Sequence, residues 1–474
     1  MTTFIPLFCY SPATVRYFNS IVACLACLFS TAPLAQAAEN DITLEIALDR
    51  DYHISGSKQG IYTLARINAP ATLSSDSPQL PLNLCLVIDR SGSMAGSSIE
   101  QTKIAITQAI ETLNQNDVIS LVTYGSDVET LISAQPVKAL NNLAPRIQSI
   151  EAIGGSALYD AINQAAAQLR RHRTPNSVNR MIILSDGEPT KGPREIEDFE
   201  SLAKLFASEN ISISTIGLGN SFKEDLLSTL STLSSGTFYY VKNPEELTDT
   251  LIADITPLNT IVARDIVLTL DFDRNVEIEE ALGKQADIEQ RTAIFKWNQL
   301  YSGTELKALL SATFFPTVHS HLTSKIVTAT LSYLPASNAF SERVSETILI
   351  KTKLTSSKNH SLKTRIPDTL QVAYSLEIAD SIREAIQFAD EGKLDKGLKE
   401  IRTTLSELKW INYSLEDDTV AAQIETLQKT YDRIKAEGMN QIDRKTLTEQ
   451  ITNQNFTSQQ VESPTEDSAG SNNR

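Results

Sequence analysis

Cysteine is scarce in this 474-residue sequence, and three of its four cysteines (Cys9, Cys24 and Cys27) fall within the first 37 residues, leaving Cys85 alone beyond them. One thiol cannot form an internal disulfide, and its apolar neighbours mark Cys85 as a small buried hydrophobe. Positive charge is also short. A net charge of −16 argues against nucleic acid or an anionic membrane surface as the main partner and makes cations the natural ligands. After residue 37 no apolar run is long enough for a bilayer, so no transmembrane span is expected in the mature chain. The sequence has no G-x-x-x-x-G-K phosphate loop, no H-E-x-x-H zinc helix and no G-x-S-x-G nucleophile elbow. The expectation is a protein that is not an enzyme.

With 41% hydrophobic and 21% charged residues the composition is that of a globular protein, and the length implies two or three domains. Residues 1–37 carry one charge, Arg16, then the apolar run Ile21 to Phe29 and the small-residue stretch Ala35-Gln36-Ala37. This is the pattern of a secretory signal peptide, and it predicts export to the periplasm, the medium or the cell surface. An uncleaved anchor is the alternative reading, and Ile21-Val22-Ala23-Cys24 resembles a lipobox.

Beyond the signal, residues 38–81 contain two strand-like segments, Ile42 to Leu48 with alternating apolar positions and Ile61 to Ile67. Residues 82–255 change to short buried strands alternating with helical segments, which predicts an α/β domain with an open, mostly parallel sheet and helices on both faces. Its strands are expected at Leu84 to Ile88, Val118 to Thr123, Met181 to Leu184, Ile211 to Ile216 and Thr237 to Val241. Residues 256–360 return to alternation in five runs and predict a β-sandwich-like domain that the two N-terminal strands complete, with the α/β domain inserted into it. Residues 365–438 have helical periodicity, and the polar residues 439–474 are expected to be a disordered tail.

The chemistry concentrates at strand ends. Leu86-Val87-Ile88-Asp89-Arg90-Ser91-Gly92-Ser93-Met94 runs from a strand through a D-x-S-x-S loop into a helix, Gly154-Gly155-Ser156 precedes another helix, and Ile182-Ile183-Leu184-Ser185-Asp186-Gly187 brings a second carboxylate to a second strand end. Open α/β sheets bind ligands at the carboxyl ends of their strands. Two carboxylates and three hydroxyls, Asp89, Asp186, Ser91, Ser93 and Ser156, form an oxygen-only set suited to Mg2+, with Ca2+ or Mn2+ fitting the same donors; no Cys or His favours zinc. A turn-and-cap role for the D-x-S-x-S loop alone is the simpler explanation. It leaves the coincidence of three segments unaccounted for.

In motif, order and spacing these segments resemble the metal-ion-dependent adhesion site of von Willebrand factor type A domains. The resemblance implies that Asp89, Ser91, Ser93, Ser156 and Asp186 surround the ion, with one coordination position left for an Asp or Glu carboxylate of a protein ligand. Ser156 departs from the family's usual threonine but keeps its hydroxyl. Thr215-Ile216-Gly217-Leu218-Gly219 resembles that domain's penultimate strand, and the whole layout is similar to bacterial proteins related to calcium-activated chloride channel regulators and inter-alpha-trypsin inhibitor heavy chains. Two functions follow as expectations: an exported binding or adhesion module working through the ion, or a structural subunit of an envelope assembly in which the ion only steadies loops. The export signal weighs against a chelatase-type accessory subunit.

Other features read more plainly. Gly217-Leu218-Gly219 is expected to be a turn, His319 and His321 solvent-facing strand positions, Glu277-Ile278-Glu279-Glu280 a surface turn, and Trp297 a core residue.

Overall fold

The computed structural model describes residues 42–71, 80–174, 177–316, 323–336, 342–415 and 417–453. Residues 1–41, where the signal is expected, His319, His321 and residues 454–474 lie outside the described residues.

The first described elements are β1 (Thr43–Leu48), β2 (Tyr52–Ile54) and β3 (Gln59–Asn68), and these do not form a sheet by themselves. They are completed by strands that follow the α/β domain: β10 (Ile261–Phe272), β11 (Val276–Leu282), β12 (Asp287–Glu289), β13 (Thr292–Tyr301), β14 (Glu305–Phe314), β15 (Thr323–Pro335) and β16 (Val344–Thr355). One sheet has the order β1-β3-β14-β11 and the other β12-β13-β10-β15-β16-β2. Alternation decides which side chains meet: Ile61, Ala65 and Ile67 of β3 face Leu268, Leu270, Phe295 and Leu331 of the other sheet in one core. Trp297 belongs to this core. Glu277 to Glu280 lie in strand β11 and not in a surface turn: a bulge between Ile278 and Glu280 leaves Glu277, Glu279 and Glu280 exposed while Val276 and Leu282 are buried.

Inserted between β3 and β10 is a six-stranded sheet of order β6-β5-β4-β7-β8-β9. Its strands are β4 (Leu82–Asp89), β5 (Val118–Tyr124), β6 (Val128–Pro136), β7 (Val178–Ser185), β8 (Ile211–Leu218) and β9 (Phe238–Val241), all parallel except β6, which pairs antiparallel with β5. Every residue of β4, β7 and β8 is buried, as expected where helices cover both faces. Helices α1 (Ser97–Glu111), α2 (Leu143–Gln148), α3 (Leu158–His172), α4 (Ile196–Ser208), α5 (Glu224–Leu233) and α6 (Leu247–Ile255) supply that cover. Ile99, Ile106 and Ile110 of α1 join Leu247, Leu251 and Ile255 of α6 on one face; α3, α4 and α5 bury Leu169, Phe206 and Leu230 on the other. Gly217 lies within β8, not in a turn: a Cβ there would stand 2.3 Å from the Phe222 ring, so only glycine lets that ring lie on the strand.

After the short α7 (Lys358–Lys363) come α8 (Pro367–Asp390), α9 (Leu394–Leu415) and α10 (Asp418–Glu437). Asp417 caps α10 by accepting from Thr419 N and Val420 N, both at 2.9 Å. The helices are not an independent unit: Leu64, Leu282 and Leu309 of the first sandwich sheet share a core with Leu370, Ala373 and Ile401. The expectation of a disordered tail also fails over α11 (Gln441–Asn453), which packs against α5 and β9 and buries Leu447 and Ile451. No described helix is long and apolar enough to cross a membrane.

Candidate metal centre

Strands β4 and β7 are neighbours in register from Leu82 with Val178 to Ile88 with Leu184, so Asp89 and Asp186 leave the sheet at the same edge. Past Asp89 the chain turns: Arg90 N donates to Tyr124 O at 2.7 Å, and Ser91 N donates back to Asp89 Oδ1 at 2.8 Å. One 3-10 turn, Gly92–Met94, then buries Met94 and leaves Ser93 exposed.

The third segment is held to this loop by backbone bonds from Gly92 N to Gly154 O (3.0 Å) and from Ile153 N to Arg90 O (2.7 Å). Gly154 has φ +88°, and a Cβ there would lie 2.6 Å from Ser126 Oγ, so the close approach requires glycine. Ser156 N donates to Thr190 Oγ1 at 2.8 Å, and Ser156 O accepts from Thr190 N and Lys191 N. Its backbone is fully engaged. Its buried hydroxyl has no hydrogen-bond partner.

Four of the five expected residues are directly linked. Ser93 Oγ donates to Asp186 Oδ1 at 2.7 Å and lies 3.0 Å from Ser91 Oγ; since the Ser93 proton goes to Asp186, Ser91 is the donor between the two serines. Asp89 is fully buried and Asp186 nearly so. Burial pushes the Asp89 carboxyl up to about 6, against the bonds from Ser91 and with the help of the Asp186 charge. Burial raises Asp186 as well. Neither carboxylate is ion-paired among the described residues, so the edge carries two buried acids and no counter-charge.

An orphaned hydroxyl, two uncompensated carboxylates and an oxygen-only donor set fit a hard divalent cation. Among the described residues no three His, Cys, Asp or Glu side chains gather as a metal cluster, so an ion here relies on the serines. Four supporting residues were not legible in the sequence. Tyr124 OH donates to Leu184 O at 3.1 Å, Ser185 Oγ to Asp89 Oδ2 at 3.4 Å, and Ser126 and Thr190 fix the glycine loop. Only Ser185, adjacent to Asp186, lay inside a recognisable motif; Tyr124 ends strand β5, and Ser126 and Thr190 come from loops brought in by the fold.

Residues 83–253 match the von Willebrand factor type A domain, and the chain carries one. An uncharacterised protein of Synechocystis is 29% identical over 184 residues, covering 38% of this chain and 42% of that one. Inter-alpha-trypsin inhibitor heavy chain H2 of Sus scrofa is 30% identical over 166 residues, 33% of this chain and 18% of that protein. The chain thus spans less than half the length of these relatives. A von Willebrand factor type A protein from Catenulispora acidiphila shares the fold over 90% of this chain and 99% of its own, with TM-score 0.67 and 15% identity. The ArnB paralog VWA2 from Sulfolobus acidocaldarius does so over 87% and 97%, with TM-score 0.57 and 17% identity. The fold likeness therefore takes in the sandwich and helices as well as the inserted domain.

Proposed function

We propose that the von Willebrand factor type A domain of this chain binds a partner protein outside the cytoplasm through a divalent cation, magnesium first, held by Asp89, Ser91, Ser93, Ser156 and Asp186. The observation that carries this reading is the buried, partnerless Ser156 hydroxyl on the loop fastened beside two carboxylates with no counter-charge. The ion would supply a hard Lewis-acid position for a carboxylate from the partner. The chain's own residues do the rest: Ser93 is exposed at the rim, and Gly92 and Gly154 keep the approach clear of side chains.

Protein binding is the common role of such domains, and the reading involves no catalysis. The loops are already fastened by backbone bonds between Gly92 and Gly154 and between Arg90 and Ile153. Export rests on the signal-like residues 1–37. An affinity capture from envelope extract in magnesium, eluted with chelator and repeated with Ser91→Ala/Ser93→Ala, tests the reading. Loss of both metal and partner with an unchanged circular-dichroism spectrum is expected. A partner held equally in chelator would leave the ion a structural role.

A further inference from the structure

Far along the chain from the ion site, the helical region carries an aromatic surface that the fold leaves uncovered. Trp410 of α9 is 74% exposed and Tyr413, one turn on, is 87% exposed. Residues three apart share a helix face. A tryptophan left in water gives up the large area that rings normally bury, and tryptophan and tyrosine are enriched at interaction surfaces. The only other tryptophan, Trp297, is buried.

Trp410 borders a groove of about 380 Å³ lined by Tyr62, Glu377, Ser406, Glu407, Trp410 and Ile411. Tyr62, on the outward face of β3, donates its hydroxyl to Glu377 Oε1. The other charges that bear on Glu377 most strongly are Glu407, Glu280 and Asp380, all carboxylates, and with burial they push its carboxyl up. Lys409, the cation next to Trp410, donates to Gln428 of α10 at 2.8 Å instead. The groove therefore pairs an exposed indole face with carboxylates that repel one another.

We propose that this groove is a docking site for an arginine side chain presented by a partner protein, stacked on Trp410 and hydrogen-bonded to Glu407 and Glu377. A guanidinium matches both walls. Its flat, weakly hydrated face lies on an indole, where the cation is drawn to the ring, while its edge N–H groups donate to carboxylates in a fork. It also brings a positive charge to a carboxyl that burial and the neighbouring carboxylates push up. The site involves none of the ion-binding residues and stands or falls separately from the proposed ion site.

The test is a titration of the full chain, followed by tryptophan fluorescence and calorimetry, with an acetylated, amidated Gly/Ser peptide bearing two arginines. The comparison peptide carries citrulline, the neutral isostere, at both positions. The arginine peptide is expected to bind at least tenfold more tightly, in magnesium and in chelator alike. Trp410→Ala and Glu407→Gln are expected to weaken it at least fivefold each, and Glu425→Gln, which removes an exposed carboxylate on α10, to leave it within twofold. All three positions are exposed, and circular dichroism checks the fold. No binding of the arginine peptide, equal binding of the citrulline peptide, or Trp410→Ala and Glu407→Gln both within twofold of wild type would overturn the proposal. Equal weakening by Glu425→Gln would do so too, as it would mean attraction to the net charge.

Discussion

A buried carboxylate pair and a buried glutamate of the same α/β domain are finished in opposite ways. At the strand-end edge, Asp89 and Asp186 meet only hydroxyls and backbone N–H groups. On the flank, Glu224 at the start of α5 accepts from Lys445 of α11 at 2.7 Å and lies 3.1 Å from Arg444 Nε. Lys445 also donates to Phe222 O at 2.8 Å and sits 4.1 Å from the centre of the Phe222 ring; Arg444 reaches Asp390 and Asp225 as well. The chain neutralises one cluster with its own cations and leaves the other short of positive charge. The lesson is that a buried acid is best judged by its counter-ion: a cluster closed internally holds the fold together, and one left open is available for an outside cation.

The contrast can be broken at either cluster. The largest effect is expected from Lys445→Met, which strands Glu224 in a buried site; removing one member of such a pair costs about 3–5 kcal/mol. Because Arg444 still reaches Glu224, the lower end applies. Hydrogen exchange should show α11 and Tyr240 losing protection; unchanged exchange would mean that Lys445 does not hold the helix.

Next comes the open cluster. Magnesium at ~100 times its dissociation constant should stabilise the wild type by about 2.7 kcal/mol and Asp89→Ala not at all. Thermal melts with and without chelator read the difference, and an equal response from both proteins would remove Asp89 from the site.

A smaller effect tests the flank by pH. Glu449 accepts from Tyr240 N at 2.9 Å, and burial raises its carboxyl from 4.5 to about 7. The folded state thus holds a proton that the unfolded chain releases. The resulting stability is complete below pH 4.5 and is lost as pH rises through about 7. Docking of α11 should loosen between pH 5 and 8, and Glu449→Gln should flatten that dependence; a dependence of the same size in the mutant would assign it to another group.

The smallest stability change is expected from Ser156→Ala, which removes a hydroxyl that makes no bond. Without metal the melting temperature should stay the same or rise slightly, while metal affinity falls. A large loss of stability without metal would show that Ser156 is structural.

What could be read in advance follows the same division. The open cluster was legible because strand-to-loop transitions carry their own local signals: an apolar strand, then Asp-x-Ser-x-Ser or Ser-Asp-Gly, or Gly-Gly-Ser ahead of a helix. The closed cluster was not. Helix α11 buries Asp443, Lys445, Thr448 and Thr452 beside Leu447 and Ile451, so two thirds of its buried residues are polar and hydropathy reads it as a tail. Lys445 and Asn453 find their partners more than two hundred positions away, which no local pattern can announce. Strand β6 escaped because, as an edge strand, it is only partly buried and shows no uninterrupted apolar run.

The insertion also sets a timetable for synthesis. Strand β3 pairs with β14 from Asn68 opposite Glu305 to Gln59 opposite Phe314, and the whole α/β domain lies between them. At ~5–20 residues per second the N-terminal hairpin must wait on the order of tens of seconds for its sheet partner. The inserted domain has its complete sheet by Val241 and can fold first. The sandwich closes last, around a module already built, so a defect in β14 or β16 would strand β1 to β3 with an open edge ready to pair with a neighbouring chain.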